Sequence, residues 1–133
     1  MDTQTIGQSW QKPGISISAS DHARLTKLAD SIATRNATIA DDLFGELERA
    51  RVVADGAIAD DIVRMGSHVR FADEKGTVRT VTLVFPAEAD IAEGRLSILT
   101  PVGTALIGLS VGQSFLWTGR DGQQHRLSVL DVR

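Results

Sequence analysis

The sequence predicts an α+β fold in which a short antiparallel two-helix hairpin precedes an antiparallel sheet domain with one short helix. Three observations predict it. Apolar residues recur at helical spacing from about residue 21 to residue 54, and the pattern turns to period-two alternation after Gly56. From there to residue 133, β-rich segments are separated by turns containing glycine. Helices segregated from a sheet in this way define the class.

Each element has its own reason. Residues 1–14 are rich in Gln, Thr and Gly, end in Pro13-Gly14, and read as a flexible leader. Ile15-Ser16-Ile17-Ser18 alternates apolar and polar, a short strand signal. Ser20 fits an N-cap and Asp21 complements the helix dipole. Leu25, Leu28 and Ile32 then predict a first helix over 21–33. Arg35-Asn36-Ala37 makes the connection, and Thr38 with Asp41 resembles a capping box. The stripe Ile39, Leu43, Leu47, Ala50 and Ala54 predicts a second helix over 39–54, stopping near Asp55-Gly56. Two stripes joined by a short turn pack as an antiparallel helical hairpin.

Residues 62–64 read as a short strand or an extended lead-in. Residues 68–72 and 77–85 form a β-hairpin around the turn 73–76, rich in β-branched residues on its second arm. A polar connection at 88–94 precedes a short strand at 96–99. Pro101 can start a helical turn that runs through Leu106 and closes at Gly108. Strands at 114–118 and 123–132 flank the loop 119–122. The organisation is thus a leader (1–14), a strand with a helical hairpin (15–57) and a sheet domain (58–133).

Composition removes several function classes. With 133 residues and 42% hydrophobic content, the chain suits one domain or a domain with an appendage. No apolar run approaches the ~20 residues of a membrane span, and residues 1–14 lack a secretory core, so the expected compartment is the cytoplasm. Absence of cysteine excludes disulfides, a thiol nucleophile and zinc–thiolate sites. A net charge of -3 argues against strong direct binding to nucleic-acid backbones. His22, His68 and His125 are scattered without metal spacing, no serine sits in a nucleophile elbow, and no phosphate-loop glycine run exists. No metal or cofactor is expected.

The run from Leu96 to Gln113, LSILTPVGTALIGLSVGQ, resembles the signature of the Gre transcription-elongation factors: strand, Ser/Thr-Pro corner, short Ala-Leu-Ile-Gly helix, glycine turn. VRMGSHVRF (63–71) and TLVFP (82–86) also resemble the Gre C-terminal domain, which implies an FKBP-like fold. IADDLFGELERA (39–50) is similar to the Rnk branch, the regulators of nucleoside diphosphate kinase, which are shorter Gre relatives that bind RNA polymerase. The hairpin then corresponds to a short version of the Gre coiled coil.

The resemblance implies a non-catalytic regulator that docks at the rim of the RNA polymerase secondary channel and competes there with Gre factors. Gre factors grip the rim with the corner that corresponds to Thr100 and Pro101. The preceding polar residue is Leu99 here, a departure that makes the docking chemistry more apolar. Val102 and Leu106 complete the implied surface; Leu106 and Ile107 cannot both face inward on so short a helix, so one is expected in an exposed patch. At the hairpin tip, Asp41 and Asp42 alone resemble the acidic pair with which Gre factors help hold Mg²⁺ for transcript cleavage, although on the residues alone capping the helix and complementing its dipole is the simpler account. A 16-residue arm reaches only ~24 Å, which argues against cleavage. An isomerase pocket of the FKBP kind would need Phe71, Phe85, Phe115 and Trp117, which fit core packing better.

Overall fold

The computed structural model describes residues 13–118 and 121–133. The expectations for residues 1–12, for Gly119 and Arg120 of the last loop and for the Trp117 side chain lie outside the described residues. In chain order the elements are β1 (Ser16–Ser18), α1 (Ala19–Ile32), α2 (Ala37–Arg49), β2 (Arg51–Val53), β3 (His68–Asp73), β4 (Val78–Val84), β5 (Arg95–Ser97), α3 (Pro101–Leu106), β6 (Ser114–Thr118) and β7 (Gln124–Val132). Two helices, then a sheet with one short helix, is the α+β class that the periodicity predicts.

Both hairpin helices begin earlier than the sequence pattern suggests. Ser18, not Ser20, caps α1: its hydroxyl accepts from the Asp21 amide at 3.2 Å, while the Ser20 amide donates to Asp55 Oδ1 at 3.0 Å. Asn36 caps α2 by accepting from the Ile39 amide at 3.2 Å, so Thr38 lies inside the helix and its capping box is not made. The second helix ends at Arg49 rather than near residue 54. Ala50 turns extended, and Arg51–Val53 becomes a strand that pairs in parallel with β1. The apolar spacing of Ala50 and Ala54 cannot register that tertiary pairing.

The five-stranded sheet has the order β5-β4-β3-β7-β6. Three of its pairings are antiparallel, but β5 runs parallel to β4, so the sheet is mixed rather than wholly antiparallel. Two 3-10 turns, Pro86–Glu88 and Ile91–Glu93, carry the chain back to start β5 in that direction. The lead-in at Ile62 forms an isolated bridge to Ser110.

One apolar core runs through the whole described chain. Ile15, Ile17, Leu25, Leu43 and Leu47 of the N-terminal part pack with Val69, Leu83, Leu127 and Val129 of the sheet and with Ile98, Leu106 and Leu109 around α3. Polar contacts lock the same junction. Asp21, 5% exposed, accepts from the Met65 amide at 3.0 Å and from Arg24 at 2.5 Å, and the Arg24 guanidinium stacks on Phe85 at 4.9 Å. The hairpin is therefore seated on the sheet domain by shared core and by a buried carboxylate.

Candidate functional site

The corner between β5 and α3 is a dense set of local hydrogen bonds. The Thr100 hydroxyl donates to the Ser97 carbonyl at 2.8 Å and accepts from the Gly103 amide at 3.0 Å. The Ser97 hydroxyl accepts from the Leu99 amide at 3.0 Å, and the Thr104 hydroxyl donates to the Ile98 carbonyl at 2.7 Å. Pro101 occupies the first helical position, where its missing N–H costs nothing and its fixed φ fits the helix. Gly103 permits this closeness: a Cβ there would collide with the Ser97 carbonyl oxygen. The corner is thus held in one conformation by its own local hydrogen bonds.

Leu99, Thr100, Pro101 and Val102 are all half-buried, so each presents part of its surface to solvent. Leu99 and Val102 rest against the core with their inner sides. Leu106 does not belong with them. It is 0% exposed, as is Ile107, so the expectation that one of the two lies in an exposed patch is overturned. The helix ends at Leu106 and Ile107 has ψ 130°, an extended geometry that swings its side chain inward independently of helical phase. Ser97 and Gly103 are the corner residues that sequence reasoning missed; a glycine two residues after the helix-starting proline was the available signal.

The hairpin presents Asp41 and Asp42 about one turn inside α2, both exposed, while Ala40, Leu43 and Leu47 are buried. Neither caps the helix, because Asn36 does. The tip itself is residues 33–36, and the arms of 14 and 13 residues span ~20 Å. His22 ties the arms together through Nε2 and the Leu47 carbonyl at 3.0 Å. His125 sits between two carboxylates, with Asp121 at 3.2 Å from Nε2 and Glu74 at 3.6 Å from Nδ1. The backbone amide of Arg126 holds Glu74 below the usual carboxylate range, and that of Gln123 does the same for Asp121. Among the described residues no group of three or more His, Cys, Asp or Glu is placed to hold a metal ion, and no helix is long and apolar enough to cross a membrane.

Comparison with known proteins matches both parts of this architecture. Residues 58–133 match the family described as transcription elongation factor GreA/GreB, C-terminal, and residues 13–53 match the Rnk N-terminus. A protein named regulator of nucleoside diphosphate kinase from Escherichia coli (strain K12) is 38% identical over 122 residues, covering 91% of this chain and 90% of that one. Transcription elongation factor GreA of Rhodospirillum rubrum is 36% identical over 102 residues, 72% of this chain and 65% of its own length. The solved structure of a prokaryotic transcription elongation factor GreA/GreB from Nitrosomonas europaea superposes with a TM-score of 0.71 at 37% identity, over 89% of this chain and 98% of that chain.

Proposed function

Since the chain belongs to the regulators of nucleoside diphosphate kinase, in which an Rnk N-terminus precedes a GreA/GreB C-terminal domain, we propose that it is a non-catalytic transcription regulator that binds RNA polymerase. In this reading the corner at Leu99, Thr100, Pro101 and Val102 docks on the secondary-channel rim and competes there with Gre factors. The observation that carries it is the pre-formed, half-exposed corner, whose Thr-Pro step is held by the Ser97 and Thr100 hydrogen bonds. The leucine before it leaves an apolar contact where Gre factors place a polar one. Leu106 lies beneath the surface as its support and not in the contact. The relatives' name points to nucleoside diphosphate kinase as the enzyme such regulation ultimately reaches.

Reach supports this reading over transcript cleavage. Arms of ~20 Å are shorter than the coiled coil of Gre factors, so Asp41 and Asp42 stop short of the polymerase active centre. Asp41→Ala combined with Asp42→Ala is accordingly expected to leave transcript release from stalled complexes at the background rate shown by wild type. Cleavage by the wild-type protein that this double variant abolishes would make it a cleavage factor instead.

The docking assignment is tested with purified bacterial RNA polymerase and a Gre factor as competitor. Wild type is expected to bind and to be displaced. Pro101→Ala is expected to weaken binding by about tenfold, the scale of one well-packed interface residue, with little change in melting temperature. Unchanged affinity removes the corner from the interface, and absence of binding at micromolar concentration removes polymerase as the partner.

A further inference from the structure

The net charge of -3 is a sum over the chain, and the sheet distributes it unevenly. In the strand register, His68, Arg70 and Ala72 of β3 oppose Thr82, Thr80 and Val78 of β4, and Arg70 also opposes Asp131 of β7. Thr82 pairs in turn with Arg95, and Arg126 with Leu116 of β6. Side chains alternate across a strand, and Val69, Phe71, Val81, Leu127 and Val129 face the core. The residues between them therefore share the opposite, open face.

On that face Asp131 is the one strand carboxylate among the described residues, and Arg133 engages it at 2.8 Å. Arg95 is held by Asp90 at 3.5 Å and by the Glu88 carbonyl at 3.1 Å. The guanidinium groups of Arg70 and Arg126, both on exposed residues, make no hydrogen bond or ion pair among the described residues. The nearby Glu74 is occupied by the Arg126 amide at 3.1 Å and by His125. Hydroxyls accompany the cations: Thr80 is exposed, Thr82 holds His68 Nδ1 at 2.8 Å, and Ser114 and Ser128 bond each other at 2.7 Å. A shallow cleft of about 490 Å³, lined by His68, Arg70, Thr80, Asp131 and Arg133, opens there.

Four residue steps and one strand separate Arg70 from Arg126, a span of ~14 Å, and Arg95 lies ~12 Å to the other side of Arg70. One phosphate cannot bridge such a span, but a phosphodiester chain can. We propose that the open face of the sheet binds the sugar–phosphate backbone of single-stranded nucleic acid, with Arg70 and Arg126 as the principal phosphate contacts. The cleft beside Arg70 takes one phosphate, with the Thr80 hydroxyl as a further donor. The whole-molecule charge does not forbid this, because fields are screened over ~8 Å at physiological salt and the acidic residues of α2 belong to another surface. The affinity is set by few contacts and is therefore weak and steeply dependent on salt.

The test is fluorescence anisotropy of a labelled 15-nucleotide single-stranded RNA with the full chain, without polymerase. About three phosphate contacts predict a loss of affinity of about twentyfold between 50 and 200 mM salt. Arg70→Ala with Arg126→Ala is expected to weaken binding at low salt and to reduce that dependence to about threefold, as one remaining contact requires. Both side chains are exposed, so the melting temperature stays at the wild-type value. Lys27→Ala with Arg35→Ala, on the hairpin, is expected to bind as wild type does. The proposal is overturned by absence of RNA binding at 50 mM salt, by an unchanged salt dependence in the sheet variant, or by polyglutamate of equal charge competing as well as RNA, which would make the face a site for acidic proteins.

Discussion

Gly108→Ala is expected to destabilise the protein by about 2–5 kcal/mol. Two costs combine. Gly108 has φ +81°, a left-handed conformation that costs a residue with a side chain ~1–2 kcal/mol. A Cβ there would also come within 2.8 Å of Ile15 Cβ and 3.1 Å of the Ser16 carbonyl oxygen, and such overpacking costs ~1–3 kcal/mol. The site is the seam at which β1 meets the segment after α3, where the Ser16 amide donates to the Gly108 carbonyl at 3.3 Å. Thermal unfolding followed by circular dichroism should fall by about 10 °C or more. Gly112 separates the two causes: its φ is +91° but nothing lies within 4 Å of its Cβ position, so Gly112→Ala should cost only the conformational part. Equal losses in the two variants would show that close packing against Ile15 contributes nothing.

Asp21→Ala is expected to cost about 2–4 kcal/mol. The carboxylate is nearly inaccessible and accepts from the Met65 amide and from Arg24, so its removal leaves a part-buried donor without a partner. Little of the loss comes from the ion pair itself, because the Arg24 side chain is 58% exposed and solvent screens it. Asp21→Asn keeps an acceptor for Met65 and should recover about half of the loss, as read from midpoints of urea unfolding. Equal destabilisation by both variants would mean that the charge, rather than the hydrogen bond across the junction, is what matters. Because Asp21 lies on the hairpin and Met65 on the sheet domain, this bond also bears on how firmly the hairpin is held against the sheet domain.

Much of this architecture was legible in the sequence. Leu25, Leu43 and Leu47 recur at helical spacing and are buried, and Val69 and Phe71 alternate with exposed His68 and Arg70 as a half-buried strand requires. Pro101 opens α3 and Leu106 ends it, as the proline and the following glycine suggest. Of the residues tied to docking, Leu99 through Val102 do reach solvent, but Leu106 does not. Its failure is instructive, since helical phase predicts side-chain direction only while the backbone remains helical, and here it stops at that residue.

What the sequence determined by itself is therefore what depends on near neighbours: helix and strand identity, the turns, the Thr-Pro corner and the family signature. Periodicity and capping act over a few residues and leave their mark in order along the chain. The tertiary structure alone decided the rest. It chose Ser18 over Ser20 as the cap by giving the Ser20 amide to Asp55, 35 residues away. It turned residues 51–53 from helix to strand by pairing them with β1, and it set β5 parallel to β4. It also gathered arginines from three strands and the C-terminal residue onto one face of an acidic protein. Each of these joins groups far apart in the chain, and contacts of that kind are fixed by burial and hydrogen-bond satisfaction in three dimensions, which no local pattern encodes.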